Sequence, residues 1–130
     1  MALQSQIVTY EADQLSLVSH YYFDASISGR RPAILVFPEA FGLGEHAKSR
    51  AKRLAGLGYA ALACDLHGQG KLLQDLNEVM ALLGPLQASP LRVRARARAA
   101  LDALASRSEV ISSKVAAIGY CFGGTMALES

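Results

Sequence analysis

The apolar run Val115-Ala116-Ala117-Ile118 passes without a break into Gly119-Tyr120-Cys121-Phe122-Gly123-Gly124, and no other segment constrains the chain as much. With Lys114 it makes a short strand of the kind that is buried inside a sheet. Thr125-Met126-Ala127-Leu128-Glu129 then begins a helix. A turn this tight between strand and helix needs glycines two residues to either side of its apex, for room to turn and for close packing of helix on strand. The apex side chain is pushed out at the top of the sheet, facing the N-terminal amides of the following helix. Those amides lower a thiol pKa and offer donors to an oxyanion. Gly119-x-Cys121-x-Gly123 therefore has the form of a nucleophile elbow with cysteine in the serine position. The competing reading is a buried, inert cysteine at a Gly-rich strand–helix turn, such as dinucleotide-binding folds contain. However, Gly119-x-x-x-Gly123-Gly124 is not G-x-G-x-x-G, and it comes late in the chain, whereas that fingerprint follows the first strand.

The rest of the chain supplies the sheet such an elbow requires. Alternation and β-branched or aromatic residues predict strands over Ile7–Glu11 and Leu15–Phe23, joined by Glu11-Ala12-Asp13-Gln14 as an antiparallel hairpin. Residues Asp24 to Pro32 form a polar loop. Ala33-Ile34-Leu35-Val36-Phe37 is wholly apolar, a strand buried on both faces, ended by Pro38. After Gly42-Leu43-Gly44 a helix is expected from about Glu45 to Leu57, with Ala47, Ala51, Leu54 and Ala55 on one face and Gly58 just past its end. Tyr59 to Cys64 is the next buried strand, completing a βαβ unit. A helix is expected over Lys71 to Leu83, broken by Gly84-Pro85. Between Ser89 and Ser106, helical spacing gathers Val93, Ala97, Ala100, Leu101 and Leu104 into one stripe with every arginine outside it. Ser89 serves as N-cap and Pro90 as N1. Arg92, Arg94, Arg96 and Arg98 then read as a solvated face rather than a nucleic-acid stripe. The alternating strands and helices predict a doubly wound α/β sheet with an antiparallel start.

Composition limits what this architecture can serve. The chain has 130 residues, suited to a single domain, and 52% of them are hydrophobic, which argues for a packed core over disorder. Its 13 basic and 11 acidic residues leave a net charge of +2, too weak to imply a nucleic-acid or membrane partner. No apolar run approaches the roughly 20 residues that cross a bilayer, and no signal-peptide pattern precedes Asp13. Two cysteines, Cys64 and Cys121, without a secretion signal suggest reduced thiols in the cytoplasm. They lack metal-ligand spacing, and His20, His46 and His67 form no zinc-like pair, so neither metal nor other cofactor is expected.

Three segments together resemble the dienelactone hydrolase family, within the α/β-hydrolases: Gly119-Tyr120-Cys121-Phe122-Gly123-Gly124, Phe37-Pro38-Glu39-Ala40-Phe41-Gly42, and Gly58-Tyr59-Ala60 through Cys64-Asp65-Leu66. The match spans most of Ala33 to Leu128. It implies an α/β-hydrolase-type doubly wound sheet, mostly parallel with an antiparallel N-terminal hairpin, truncated after the nucleophile elbow. It also implies roles. Cys121 would attack an ester or lactone carbonyl and become acylated. The backbone amides of Phe122 and Ala40 would form the oxyanion hole. Glu39 would lie near the thiol and help hold or activate it, although as an anion it would raise the thiol pKa. Read without the family, Glu39 is a loop carboxylate capping the helix that begins near Glu45.

Two departures qualify the resemblance. Type members carry an arginine shortly after the Asp-Leu pair, suited to a substrate carboxylate; here the segment is Asp65-Leu66-His67-Gly68-Gln69-Gly70, and Gln69 supplies no charge. A broader ester or lactone substrate is expected, with His67 read as a loop histidine. Secondly, nine residues follow Cys121 and none is Asp or His, whereas α/β-hydrolases place the acid and then the histidine after the nucleophile. Residues 1–130 therefore read as the N-terminal portion of one domain, needing a C-terminal Asp and His, with Lys114–Ile118 left as an apolar edge. The alternatives are a non-catalytic assembly module, pairing as a homodimer or with a complementing C-terminal half, and a thiol redox sensor using Cys121 and Cys64.

Overall fold

The computed structural model describes residues 2–119 of the chain. Strands β1 (Leu3–Ala12) and β2 (Leu15–Asp24) form the antiparallel hairpin. Both run longer than the alternation predicts, mostly at the ends away from the turn, where Leu3 pairs with Asp24, and at the turn the connection tightens to two residues. Asp13 and Gln14 both take positive φ, +51° and +60°, the backbone that matches a two-residue turn to the twist of its strands. The remaining strands are β3 (Arg31–Phe37), β4 (Ala60–Ala63) and β5 (Val110–Gly119). Their order in the sheet is β1-β2-β4-β3-β5, with β4, β3 and β5 mutually parallel and β2 antiparallel to β4.

Alternation along the central strands divides the core between two layers. Leu35, Phe37 and Leu62 face helices α2 (Leu76–Gln87) and α3 (Pro90–Ala105), where Val79, Leu83, Leu86, Val93, Ala97, Ala100 and Leu104 are buried against them. Val36, Ala61 and Ala63 face α1 (Glu45–Gly56), which buries only Ala47, Ala51 and Ala55 with Leu43. Three methyl side chains at helical spacing bring that helix close to the sheet. Gly58, just past the C-cap, has φ +104°, as the C′ position requires. Helices on both faces of a mixed sheet, parallel from β4 through β3 to β5 after an antiparallel start, are the predicted doubly wound arrangement.

Three expectations need correction. Residues 71–73 are not helical: Leu72 bridges to Gly42, and the Leu73 amide donates to the Phe41 carbonyl at 2.7 Å. The helix starts instead at Leu76, behind Asp75, whose carboxylate accepts from the Asn77 amide at 2.9 Å. Nor does Gly84-Pro85 break it. The ring removes one hydrogen bond near the helix end, and with glycine before it there is no side chain to clash. Thirdly, the arginines of α3 are not all solvated. Ser89 and Pro90 cap the helix as predicted, but Arg96 is 5% exposed and donates from Nη2 to Asp13 at 2.8 Å and from Nη1 to the Leu66 carbonyl at 2.6 Å. Arg92 joins the same carboxylate at 2.9 Å.

Strand β5 lies at an edge of the sheet, as predicted, and is more exposed than a buried strand would be: Ile118 is 37% exposed. No helix among the described residues is long and apolar enough to cross a membrane.

Candidate functional site

Chain order fixes where a site can form. From β3 the chain passes through α1 to β4 on one side, then through α2 and α3 to β5 on the other. Strand β3 is thus the point where the winding reverses, and in such sheets the crevice beyond the carboxyl ends of the strands at this point receives ligands. Phe37 ends β3 directly beside Gly119, which ends β5. The segment starting at Pro38 therefore leaves the sheet next to the strand that carries the Gly119-x-Cys121-x-Gly123 motif. Cys121 and Phe122 themselves lie outside the described residues.

Residues 39–42 make a tight turn closed by the Gly42 amide donating to the Glu39 carbonyl at 3.0 Å. Glu39 extends its carboxylate to His46 Nδ1 in the first turn of α1, at 2.9 Å, with both side chains about half exposed. The helix-capping alternative thus takes the form of a bond to a side chain of that turn, while Gly44, the N-cap, offers none. An exposed pair of this kind contributes little to stability, and Glu39 lines an open cleft of about 190 Å³. Pro38, Phe41 and Leu72 give the cleft apolar walls; Glu39, Glu45 and His46 give it polar ones.

Ala40 sits at the second position of the turn, and its carbonyl accepts from His67 Nε2 at 2.6 Å. His67 lies in a loop, as the sequence suggests, and is buried there, at 4% exposed. Burial lowers its pKa; the Ala40 carbonyl acts the other way without reversing the shift. Its segment is held by Asp65, a buried side chain that accepts from the amides of Val18 (2.9 Å), Gly68 (3.2 Å) and Gly70 (2.7 Å). Gly68, Gln69 and Gly70 all have positive φ, from +56° to +93°. Gln69, close to the position where the family carries arginine, is exposed, and its backbone N–H donates to the Ser16 carbonyl at 2.7 Å. Gly42 is required by contact as well as by its φ of +106°: a Cβ there would stand 2.3 Å from the Lys71 carbonyl oxygen.

Cys64 is fully buried, its thiol donating to the Leu62 carbonyl at 3.4 Å, and burial pushes its pKa well up. A thiol so placed is a poor nucleophile and a poor redox partner. Among the described residues no cluster of His, Cys, Asp and Glu could hold a metal ion.

The Dienelactone hydrolase family model matches residues 19–130. A curated protein from Bradyrhizobium sp, "Probable 2-oxo-3-(5-oxofuran-2-ylidene)propanoate lactonase", is 30% identical over 104 residues, covering 78% of this chain and 41% of that protein. Two solved structures are similar over 99% of the chain and 54% of their own: m3DLH, at 46% identity and a TM-score of 0.96, and a dienelactone hydrolase-like promiscuous phosphotriesterase from metagenomic libraries, at 45% and 0.95. The chain thus spans about half the length of these solved relatives and less than half of the curated one.

Proposed function

Since the chain belongs to the dienelactone hydrolase family, we propose that it forms the nucleophile-bearing half of a hydrolase of carboxylic esters or lactones. The thiolate of Cys121 attacks the substrate carbonyl carbon, and the oxygen becomes an oxyanion held by the amides of Phe122 and Ala40. Collapse expels the alkoxide, which takes a proton, and leaves a thioester on Cys121 that water then hydrolyses. Glu39, which lines the cleft, would hold or activate the thiol. Hydrolysis of the thioester would draw on an Asp and a His, which α/β-hydrolases place after the nucleophile, in the part of the solved relatives that this chain does not span. The observation that carries this reading is the pairing of Phe37 with Gly119, which sends the Glu39–Ala40 turn and the cysteine motif off the same end of adjacent strands. Glu39 and Glu45 border the cleft and no Lys or Arg lines it among the described residues, which favours uncharged esters over a carboxylate-bearing dienelactone. A cytoplasmic location accords with a thiol that must stay reduced.

Rapid mixing with p-nitrophenyl acetate tests the proposal. A burst of p-nitrophenolate approaching one equivalent is expected, kept in Cys64→Ala and lost in Cys121→Ala. No release, or a burst that survives Cys121→Ala, would overturn it.

A second reading takes the chain as an assembly module. Strand β5 has no partner strand on its outer side among the described residues, and an unpaired edge is a template for another chain. Association with a second copy, or with a complementing C-terminal half, would cover it. Sedimentation velocity should then show concentration-dependent association that Ile118→Lys weakens. A monomer at every concentration removes this reading.

A further inference from the structure

We infer that His67 is a positioning residue for the oxyanion-binding turn: its Nε2–H clamps the Ala40 carbonyl and so fixes the turn that presents the Ala40 amide to the reacting oxygen. The inference rests on the proposed role of Ala40.

The turn over residues 39–42 has one soft unit, the central peptide between Ala40 and Phe41. Rotation of that peptide is what interconverts the two common turn forms. The Ala40 carbonyl is part of it, and His67 Nε2 lies 2.6 Å away. A carbonyl only accepts, so the imidazole carries its proton on Nε2 and the tautomer is set by this contact. With the central peptide clamped, the neighbouring Glu39–Ala40 peptide, whose N–H is the proposed donor, loses its freedom to swing. The clamp is itself anchored. Asp65 secures the His67 segment through three backbone amides, and Arg96 holds the Leu66 carbonyl at 2.6 Å. The histidine is therefore not needed to fold its own loop, and its ring nitrogen reaches across to the other. Gly42 lets the two loops meet: a Cβ there would lie 3.2 Å from the His67 ring. The Leu73 amide adds a second tie, to the Phe41 carbonyl at 2.7 Å.

The test separates oxyanion stabilisation from thiol reactivity. Acylation of Cys121 by p-nitrophenyl acetate passes through a tetrahedral oxyanion; alkylation of the same thiol by iodoacetamide does not. His67→Leu removes the donor at similar bulk, and His67→Gln returns an N–H near the Nε2 position. Relative to the unsubstituted chain, His67→Leu should acylate about 10- to 100-fold more slowly while alkylating at a rate within about twofold, and His67→Gln should recover most of the loss. If the leucine variant does not fold, His67→Asn replaces it, with its amide too short to reach Ala40. Unchanged acylation, a parallel fall in both reactions, or no recovery with glutamine overturns the inference. Failure of the unsubstituted chain to acylate while it still alkylates overturns the proposed function instead, and the role of His67 with it.

Discussion

His67 makes folding stability depend on pH. Burial keeps its folded pKa below the ordinary imidazole value; the Ala40 carbonyl and Asp65 oppose this, and Arg96 and Lys71 reinforce it. In the unfolded chain the ring binds a proton below about pH 6.5; in the folded chain it does so only at lower pH. Between those two values the unfolded state binds more protons, so stability falls as pH drops through that window and is unaffected above it. His20 is shifted the same way by burial, so the contribution of His67 is read as a difference. Urea midpoints at pH 7.5 and 5.5 should fall in the unsubstituted chain and fall less in His67→Gln; equal falls would refute the assignment. Sequence alone could not identify this histidine, because its partner is 27 residues away and nothing local marks it. The family motif singles out Glu39, but its bond to His46 follows from where α1 begins.

At the scale of elements, the Asp13–Arg96 pair joins the hairpin turn to α3. Burial acts to raise the Asp13 pKa, but hydrogen bonds and charge from Arg96 and Arg92 outweigh it and hold the carboxyl below its usual range. The Asp13 and Arg96 side chains are 15% and 5% exposed, so removing the acid leaves a guanidinium buried beside the Leu66 carbonyl without its counter-charge. Asp13→Ala should cost about 3–5 kcal/mol, read as a lower denaturant midpoint at unchanged slope; a loss no larger than that of an exposed pair such as Arg98–Asp102, whose side chains are 70% and 67% exposed, would contradict this. The helical period placed α3 and its caps correctly in the sequence. It could not show that the tip of a hairpin would cover Arg96, since that contact spans 83 residues. The same limit explains α2. Composition through Lys71–Leu83 suits a helix, but residues 72 and 73 are taken up by the turn after β3, a competition visible only once two loops are neighbours.

For the molecule as a whole, alternating strand and helix patterns were enough to give the fold class, and the apolar runs gave the strands to within a few residues. Strand order was not readable, because pattern alone does not say that β2 pairs with β4 rather than with β3. The observed order has a consequence for how the protein is made. The sheet through β4, the segment fixed by Asp65 and the clamp from His67 to Ala40 use only residues before position 74. Strand β5 pairs with β3 only after a loop of about 70 residues has closed, which is the slow, entropically costly kind of contact. Chains emerging from the ribosome fold from the N-terminus. The turn that carries the proposed Ala40 donor can therefore be assembled before Cys121 and Phe122 have been translated, so on the proposed reading the thiol and the second donor join half of a seat already in place.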